Sequence, residues 1–128
     1  MMNLLLDTHI FIWWEIEIHK LSAKRLQLLE DENNTLFLSL ASLWELQLKI
    51  MPGKFKFPKS LSEIIQDQRR INDLRILPIT AEHIYELEKL PFHHKDPFDR
   101  LLIAQAIVED YTLVTDDPQL SAYSAKLI

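Results

Sequence analysis

Four acidic side chains occupy places from which they could act together on one ion or one substrate. Asp7 and Asp117 each come just after a short apolar run that is typical of a buried strand. Glu45 lies about two turns into the helix-like segment after another such run, and Asp99 lies in the first turn of a later helix. In a parallel sheet these places all belong to the edge formed by the carboxyl ends of the strands, where open α/β sheets bind ligands. We therefore expect the four carboxylates to converge.

Four converging carboxylates would need a compensating cation or bound protons. Two like charges about 4 Å apart repel by roughly 4 kcal/mol at an effective dielectric constant of about 20. The chain has no cysteine, which excludes thiolate sites, and oxygen ligands favour hard cations such as Mg²⁺ or Mn²⁺. Such ions activate water and stabilise the oxyanions of a phosphodiester displacement. The pattern therefore indicates metal-assisted phosphoryl chemistry.

Each acidic residue also has a purely structural interpretation. Glu45 could pair with Lys49 four residues later on the same helix, a contact worth a few tenths of a kcal/mol. Asp99 could be a first-turn acid favoured by the helix dipole. Asp116–Asp117 could start the turn before a proline. Taken singly, each structural interpretation is at least as good as the functional one, but together they require four coincidences at one sheet edge.

Length and composition are those of an ordinary globular protein. The 128 residues suit one domain over 1–128, with 48% hydrophobic and 26% charged residues. No apolar run approaches the length of a bilayer span and no basic segment precedes Leu4, so we expect a cytoplasmic protein with no membrane partner. Gly53 is the only glycine, which excludes a P-loop and a dinucleotide-binding fingerprint.

The charge balance opposes nucleic-acid binding overall but not everywhere. The net charge is −5, whereas phosphate contacts need lysine and arginine. Between positions 49 and 59 the only charged residues form a lysine strip, Lys49, Lys54, Lys56 and Lys59. Taken alone, such a strip is more often a solvated loop than a binding surface.

Short apolar runs alternate with longer amphipathic ones, which predicts βα units and a parallel sheet. The predicted strands are 3–6, 35–38, 74–79, 112–115 and 126–128. Each amphipathic segment follows a polar residue able to cap a helix, namely Thr8, Ser22, Ser39, Ser60, Thr80 or Asp96. Ser60 and Glu63 have the spacing of a capping box, and Pro97 fits the first helical position after the Asp96 cap.

The apolar residues at helical spacing are expected to face the core. The helix after Thr80 is predicted to carry Ile84, Leu87 and Leu90 on its buried face. Trp13, Trp14 and Trp44 are likewise expected to be core residues, although an exposed Trp14 would be a suitable anchor for a partner.

The histidines add little to the predicted site. His93 and His94 are adjacent, which is not the four-residue spacing of two zinc ligands on one helix, so no zinc site is expected. His9 could contact substrate near Asp7, but we expect it to be a polar residue at the helix N-terminus.

Four segments of the chain, read together, resemble the PIN-domain ribonucleases, and most closely the VapC-type toxins of bacterial toxin–antitoxin pairs. The segments are Leu5–His9, Ser39–Leu46, Asp96–Ala106 and Leu113–Asp117. They run in the family's order, and the resemblance extends from about residue 3 to the last residue. The most specific block is Asp96-Pro97-Phe98-Asp99-Arg100, followed by Asp7-Thr8-His9.

This resemblance implies a fold and a metal site. The fold would be α/β, a three-layer α/β/α sandwich around a parallel sheet of four or five strands. The family's four carboxylates correspond to Asp7, Glu45, Asp99 and Asp117, which would hold one or two Mg²⁺ or Mn²⁺ ions. The family's Thr-x-Asp pattern selects Asp117 over Asp116, although Asp116 could share the role. Thr115 would help to hold the metal or its water.

The resemblance also implies an activity and partners. The protein would be a metal-dependent endoribonuclease that hydrolyses RNA phosphodiesters. It would be a homodimer, silenced by an antitoxin whose tail enters the active-site groove. Lys49, Lys54 and Lys56 then become candidates for RNA contacts.

Two other functions stay open at this point. One is an aspartyl-nucleophile phosphatase, which would need a second aspartate two residues after Asp7, where this chain has His9. The other is a catalytically silent PIN-fold binding module that acts through its partner.

Overall fold

Five parallel strands form one sheet with β1 at its centre. The structure is a computed structural model that describes residues 1–128. The strands are β1 (Asn3–Leu6), β2 (Thr35–Ser39), β3 (Arg75–Leu77), β4 (Thr112–Val114) and β5 (Lys126–Leu127). Their order across the sheet is β3-β2-β1-β4-β5, and every neighbouring pair is parallel. The predicted α/β fold is confirmed, with five strands in the sheet.

Six α-helices connect the strands and cover the sheet. They are α1 (Thr8–Ile16), α2 (Ala23–Glu30), α3 (Leu40–Ile50), α4 (Leu61–Asn72), α5 (Ala81–Glu86) and α6 (Pro97–Glu109). Single turns of 3₁₀-helix lie at Ile18–Lys20, Leu87–Lys89 and Pro118–Ala122. None of the helices combines the length and the apolar character needed to cross a bilayer.

The central strand explains the three layers. Leu4, Leu5 and Leu6 are all fully buried. Because side chains alternate along a strand, Leu4 and Leu6 pack in one apolar cluster, with residues of α1 to α4. Leu5 packs in a second cluster, with residues of α6. A strand covered on both faces cannot shift, and it therefore fixes the position of the residue that follows it.

Polar caps set the starts of the helices that carry predicted site residues. The Ser39 Oγ accepts a hydrogen bond from the Ala41 N–H at the start of α3, which carries Glu45. The Asp96 Oδ1 accepts from the N–H groups of Phe98 and Asp99 at the start of α6. Such a cap contributes about 1 kcal/mol of helix stability. The predicted capping roles of both residues are confirmed.

Several predicted boundaries are wrong. Thr8 is not the N-cap of α1 but its first residue, and its hydroxyl donates to the Ser42 Oγ across the core at 2.9 Å. The third strand stops at Leu77, because Pro78 has no N–H to continue the ladder. The helix after Thr80 ends at Glu86 and continues only as a 3₁₀ turn, so Leu87 is not part of an α-helix.

The prediction for Trp44 is also wrong. Trp13 and Trp14 are half-buried and pack against the core, whereas the side chain of Trp44 is 62% exposed. The Trp44 ring meets Phe98 edge-on, with 5.2 Å between ring centroids. The apolar character of α3 therefore extends around more of the helix than the sheet can cover.

Candidate metal centre

The Asp7 carboxylate sits at the carboxyl end of the central strand with one oxygen unsatisfied. The residue is 4% exposed, and its backbone N–H donates to the Val114 carbonyl of β4 at 2.9 Å. Its Oδ2 accepts from the Thr115 hydroxyl at 2.6 Å, while its buried Oδ1 has no hydrogen-bond partner. Burial raises the pKa of Asp7, more than the Thr115 hydrogen bond lowers it. A cation at Oδ1 would satisfy this oxygen.

Thr115 links Asp7 to Asp117. The Thr115 Oγ1 that donates to Asp7 also accepts from the backbone N–H of Asp117 at 3.1 Å. The Asp117 Oδ1 in turn accepts from the Gln119 N–H at 2.9 Å, capping the 3₁₀ turn that follows. The Asp117 Oδ2 is then the oxygen that faces the other acidic residues. Thr115 therefore acts here as a connection between two carboxylates.

Asp99 experiences the charge of the acidic residues around it. It lies in the first turn of α6, as the sequence predicts. Burial, and then the negative charges of Asp7 and Asp96, raise the pKa of Asp99 from its ordinary 3.8 to about 7. The charge of Glu45 acts in the same direction. The metal-free site therefore retains a proton near neutral pH that a cation would displace.

Glu45 approaches the site from α3. It is only 8% exposed, and its buried Oε1 has no hydrogen-bond partner. Its Oε2 lies 3.7 Å from the Lys49 Nζ, so the pair between Glu45 and Lys49 that the sequence allowed is present. That distance is long for an ion pair between partly desolvated groups, and the pair leaves Oε1 free.

Two cavities contain the four predicted carboxylates. A cavity of about 210 Å³ is lined by Asp7, His9, Trp13, Asp99, Asp116 and Asp117. A more open cavity of about 440 Å³ is lined by Glu45, Leu48, Lys49, Lys54, Lys95, Asp96, Pro97 and Phe98. Three predicted carboxylates thus share one cavity, and the fourth lines the other cavity with three lysines. Lys56 lines neither cavity.

Asp116 has a different partner from Asp117. Its Oδ1 lies 3.2 Å from the Arg25 Nη1 of α2, and Arg25 Nε also donates to the Ile128 carbonyl. Asp116 therefore borders the smaller cavity while being held at its rim by a cation of the chain. This arrangement agrees with the choice of Asp117 over Asp116 as a ligand candidate.

His94 is the site residue that sequence reasoning missed. Its Nε2 lies 3.2 Å from the Asp99 Oδ2 and 3.3 Å from the Asp117 Oδ2. One ligand-type atom from each of His94, Asp99 and Asp117 falls within 4.8 Å of the other two. The sequence feature that could have indicated this role is the position of His94, two residues before the Asp96 cap of the helix that carries Asp99. The spacing of His93 and His94 to each other carried no information about this contact.

The residues present fit a hard divalent cation. Two of the buried carboxylate oxygens, Asp7 Oδ1 and Glu45 Oε1, lack any hydrogen-bond partner. Buried polar atoms are rarely left unpaired, because each costs about 1–3 kcal/mol. A donor set of carboxylate oxygens without sulfur is the kind that such cations prefer.

The raised pKa of Asp99 predicts how the stability of the metal-free protein depends on pH. Between its ordinary pKa of 3.8 and the folded value of about 7, the folded state binds more protons than the unfolded state. The free energy of unfolding therefore falls as the pH rises through this window, by at most about 1.4 kcal/mol per pH unit. Partial solvent exposure of the side chain makes the change smaller.

Replacing Asp99 by asparagine removes this dependence. In urea unfolding with chelator present, we expect Asp99→Asn to be more stable than the wild type at pH 8, with the difference shrinking towards pH 5. Asp31→Asn, an exposed change in the loop after α2, is the matched control and should follow the wild type. Parallel pH profiles for wild type and Asp99→Asn would contradict the assigned pKa.

Comparison with known proteins agrees with the fold. The sequence pattern of the PIN domain family matches residues 4–126. Ribonuclease VapC22 of Mycobacterium tuberculosis (strain ATCC 25618 / H37Rv) is 27% identical over 124 residues, which are 96% of this chain and 93% of the relative.

Two solved structures share the fold. In the VapBC2 structure from Rickettsia felis, bound to a DNA fragment from their promoter, one chain matches with a TM-score of 0.72 at 24% identity, covering 99% of this chain and 98% of that one. A toxin–antitoxin complex from Klebsiella pneumoniae matches with a TM-score of 0.59 at 18% identity, covering 97% and 94%. The predicted resemblance is confirmed. Because the family pattern spans nearly the whole chain, the protein belongs to the PIN domain family.

Proposed function

We propose that the protein is a metal-dependent endoribonuclease. Asp7, Glu45, Asp99 and Asp117 would hold one or two Mg²⁺ or Mn²⁺ ions. The observation that carries this proposal is the buried Asp7 carboxylate, whose Oδ1 is unpaired in a cavity that it shares with Asp99 and Asp117. When bound, such an ion supplies an activated water and charge stabilisation for phosphodiester hydrolysis.

The residues of the chain supply orientation and exclusion of water. The Thr115 hydroxyl fixes the Asp7 carboxylate, and its link to the Asp117 backbone fixes the second ligand. Trp13 forms part of the cavity wall beside these acids and limits access of bulk water. The burial of Asp7 strengthens the charge interactions that it makes in the site.

RNA is the proposed substrate, and the relative named Ribonuclease VapC22 supports it. The cavity that Glu45 lines is also lined by Lys49, Lys54 and Lys95, which can contact the phosphates on either side of the scissile bond. Lys54 and Lys56 are exposed and form no ion pair within the chain. The proposed RNA contacts are therefore Lys49, Lys54 and Lys56, together with Lys95, which lines the same cavity as Lys49 and Lys54. RNA as substrate is consistent with action in the cytoplasm.

The proposed partners are an antitoxin and a second copy of the chain. The similarity to chains of toxin–antitoxin complexes supports the antitoxin. The homodimer is supported by an exposed apolar stripe along α3 and its C-cap residue, whose members recur at helical spacing: Leu40, Trp44, Leu48 and Met51. Contiguous exposed apolar surface of this kind marks protein interfaces, and tryptophan is enriched among residues that dominate binding.

The two alternative functions are less well supported. An aspartyl phosphatase would require an acid two residues after Asp7, and His9 occupies that place. A silent binding module would not need to retain unpaired buried carboxylate oxygens on Asp7 and Glu45. Both features favour the nuclease.

Removal of a carboxylate or of metal should abolish RNA cleavage. We expect Asp7→Asn and Asp99→Asn to lower the single-turnover rate on labelled RNA by at least about 100-fold, because charge stabilisation is lost. Asp31→Asn should cleave at the wild-type rate. Chelator should stop cleavage and added Mn²⁺ should restore it. Chelator-insensitive cleavage, or full activity of Asp7→Asn, would disprove the proposal.

Loss of a lysine should weaken RNA binding in a salt-dependent manner. In an Asp7→Asn background, which separates binding from cleavage, Lys54→Ala and Lys56→Ala should each reduce RNA affinity. Each should also lower the slope of log affinity against log salt by about 1. Lys24→Ala on α2 is the matched control, since Lys24 is also exposed. Unchanged slopes for Lys54→Ala and Lys56→Ala would remove them from the RNA-binding surface.

A charge on the α3 stripe should dissociate the dimer. Sedimentation equilibrium of the wild type should give the mass of two chains, and Trp44→Glu should weaken self-association by at least about 30-fold, the effect of losing a dominant interface residue. Ile71→Glu, at an exposed apolar position on α4, should leave the dimer intact. A monomeric wild type, or equal dissociation by both variants, would contradict this assignment.

A further inference from the structure

We propose that His94 is a positioning residue: its Nε2–H holds the side chains of Asp99 and Asp117 together as one donor set for the metal. This inference rests on the proposed metal site. It concerns a histidine outside the four carboxylates, and it assigns to that histidine a hydrogen-bonding role and not a ligand role.

The geometry places one nitrogen between two carboxylates from different elements. The His94 Nε2 forms a hydrogen bond with the Asp117 Oδ2 at 3.3 Å and lies in close contact with the Asp99 Oδ2 at 3.2 Å. Asp99 lies on α6, and Asp117 follows β4. No other side chain contacts both oxygens. One ring nitrogen therefore contacts two ligand candidates that the backbone does not connect directly.

The other ring nitrogen identifies the tautomer. The backbone N–H of Asp96 donates to the His94 Nδ1 at 3.1 Å. Because Nδ1 accepts this bond, it carries no proton, and the neutral ring must carry its proton on Nε2. A metal-binding histidine shows the reverse arrangement, with its second nitrogen donating to an acceptor. His94 is therefore built to donate to the carboxylates and not to coordinate the ion through Nε2.

The loop that carries His94 is fixed independently of the carboxylates. The Tyr123 hydroxyl accepts hydrogen bonds from the backbone N–H groups of His93 and His94, at 3.1 and 2.9 Å. The buried Arg100 reaches the same hydroxyl at 3.3 Å and donates to the Pro91 carbonyl at 2.9 Å. The His94 side chain is 16% exposed. The ring is thus held in place before any ligand arrives.

This arrangement addresses a specific problem of the metal-free site. Asp99 and Asp117 must both be ionised to hold a cation, and two like charges within 4.8 Å of each other repel unless a donor or a cation offsets them. Carboxylates that bind metals are themselves commonly hydrogen-bonded, and loss of such outer partners typically costs about 10- to 100-fold in metal affinity. We expect an effect of this size from the loss of the His94 N–H.

Mn²⁺ binding to the full chain tests the inference, with the free-ion signal in electron paramagnetic resonance as readout. His94→Ala should bind Mn²⁺ about 10- to 100-fold more weakly than the wild type. His94→Gln, which offers an amide N–H at similar reach, should recover most of the affinity. His93→Ala should match the wild type, because His93 contributes its backbone N–H and an edge contact to Tyr123. Pulsed spectra of the Mn²⁺-loaded wild type should show no directly coordinated ¹⁴N.

Three results would overturn the positioning role alone. The first is wild-type affinity in His94→Ala. The second is affinity in His94→Gln as weak as in His94→Ala, which would mean that a donor at this place is insufficient. The third is a coordinated ¹⁴N signal that disappears in His94→Ala, which would make the ring a ligand. Absence of Mn²⁺ binding to the wild type would overturn this inference and the proposed metal site together.

Discussion

The desolvated carboxylate of Asp7 is the constraint on which the rest of the structure depends. The strand before it is buried on both faces, so Asp7 cannot move out to water. Its own N–H is bound to β4 and one of its oxygens to Thr115, which leaves the other oxygen buried and unpaired. An isolated charge in such a place is costly. The groups around Asp7 reduce the free-energy cost of keeping its carboxylate away from water.

The chain stabilises the negative charge of the acidic cluster mainly with neutral hydrogen-bond donors, and it places cations only at the rim of the cluster. Thr115 and His94 contribute an O–H and an N–H to the inner oxygens. The cations Arg25 and Lys49 reach only Asp116 at the cavity rim and the outer oxygen of Glu45. Hydrogen-bond donors orient carboxylates without neutralising them, whereas a central lysine or arginine would occupy the place of a metal ion. The carboxylates therefore keep the negative potential that the proposed metal site requires.

The sequence predicted the parts of the site that depend on local rules. An apolar run that ends in an acid locates β1 and Asp7, and the Asp96-Pro97 start of α6 places Asp99 in its first turn. Both follow from burial periodicity and capping within a few residues. These acids lie at the same edge because the carboxyl ends of parallel strands share one edge of the sheet. Recognising the strands was therefore enough to predict that the acids lie near one another.

The features that sequence reasoning missed depend on distant contacts. His94 reaches the carboxylates because Tyr123, far along the chain, holds its loop. The exposure of Trp44 depends on how much of α3 the neighbouring helices cover. The sequence of α3 alone does not reveal this coverage. Thr8 was mistaken for a cap because a threonine after a strand is a good cap, and here the hydroxyl bonds across the core instead. Local propensity gives way to tertiary contacts in each case.

Asp7 also occupies the N-cap position of α1, yet its side chain makes no capping hydrogen bond. An aspartate at this position normally contributes about 1 kcal/mol to its helix. Here the backbone N–H groups of Thr8 and His9 only lower the pKa of the desolvated carboxylate and complete no capping hydrogen bond. In the proposed metal site, helix stability and metal binding therefore make opposite demands on position 7, as is common at functional sites. Selection for yield or thermal resistance alone would favour a neutral residue there, so an engineered stable variant must be screened for its chemistry as well as for its folding.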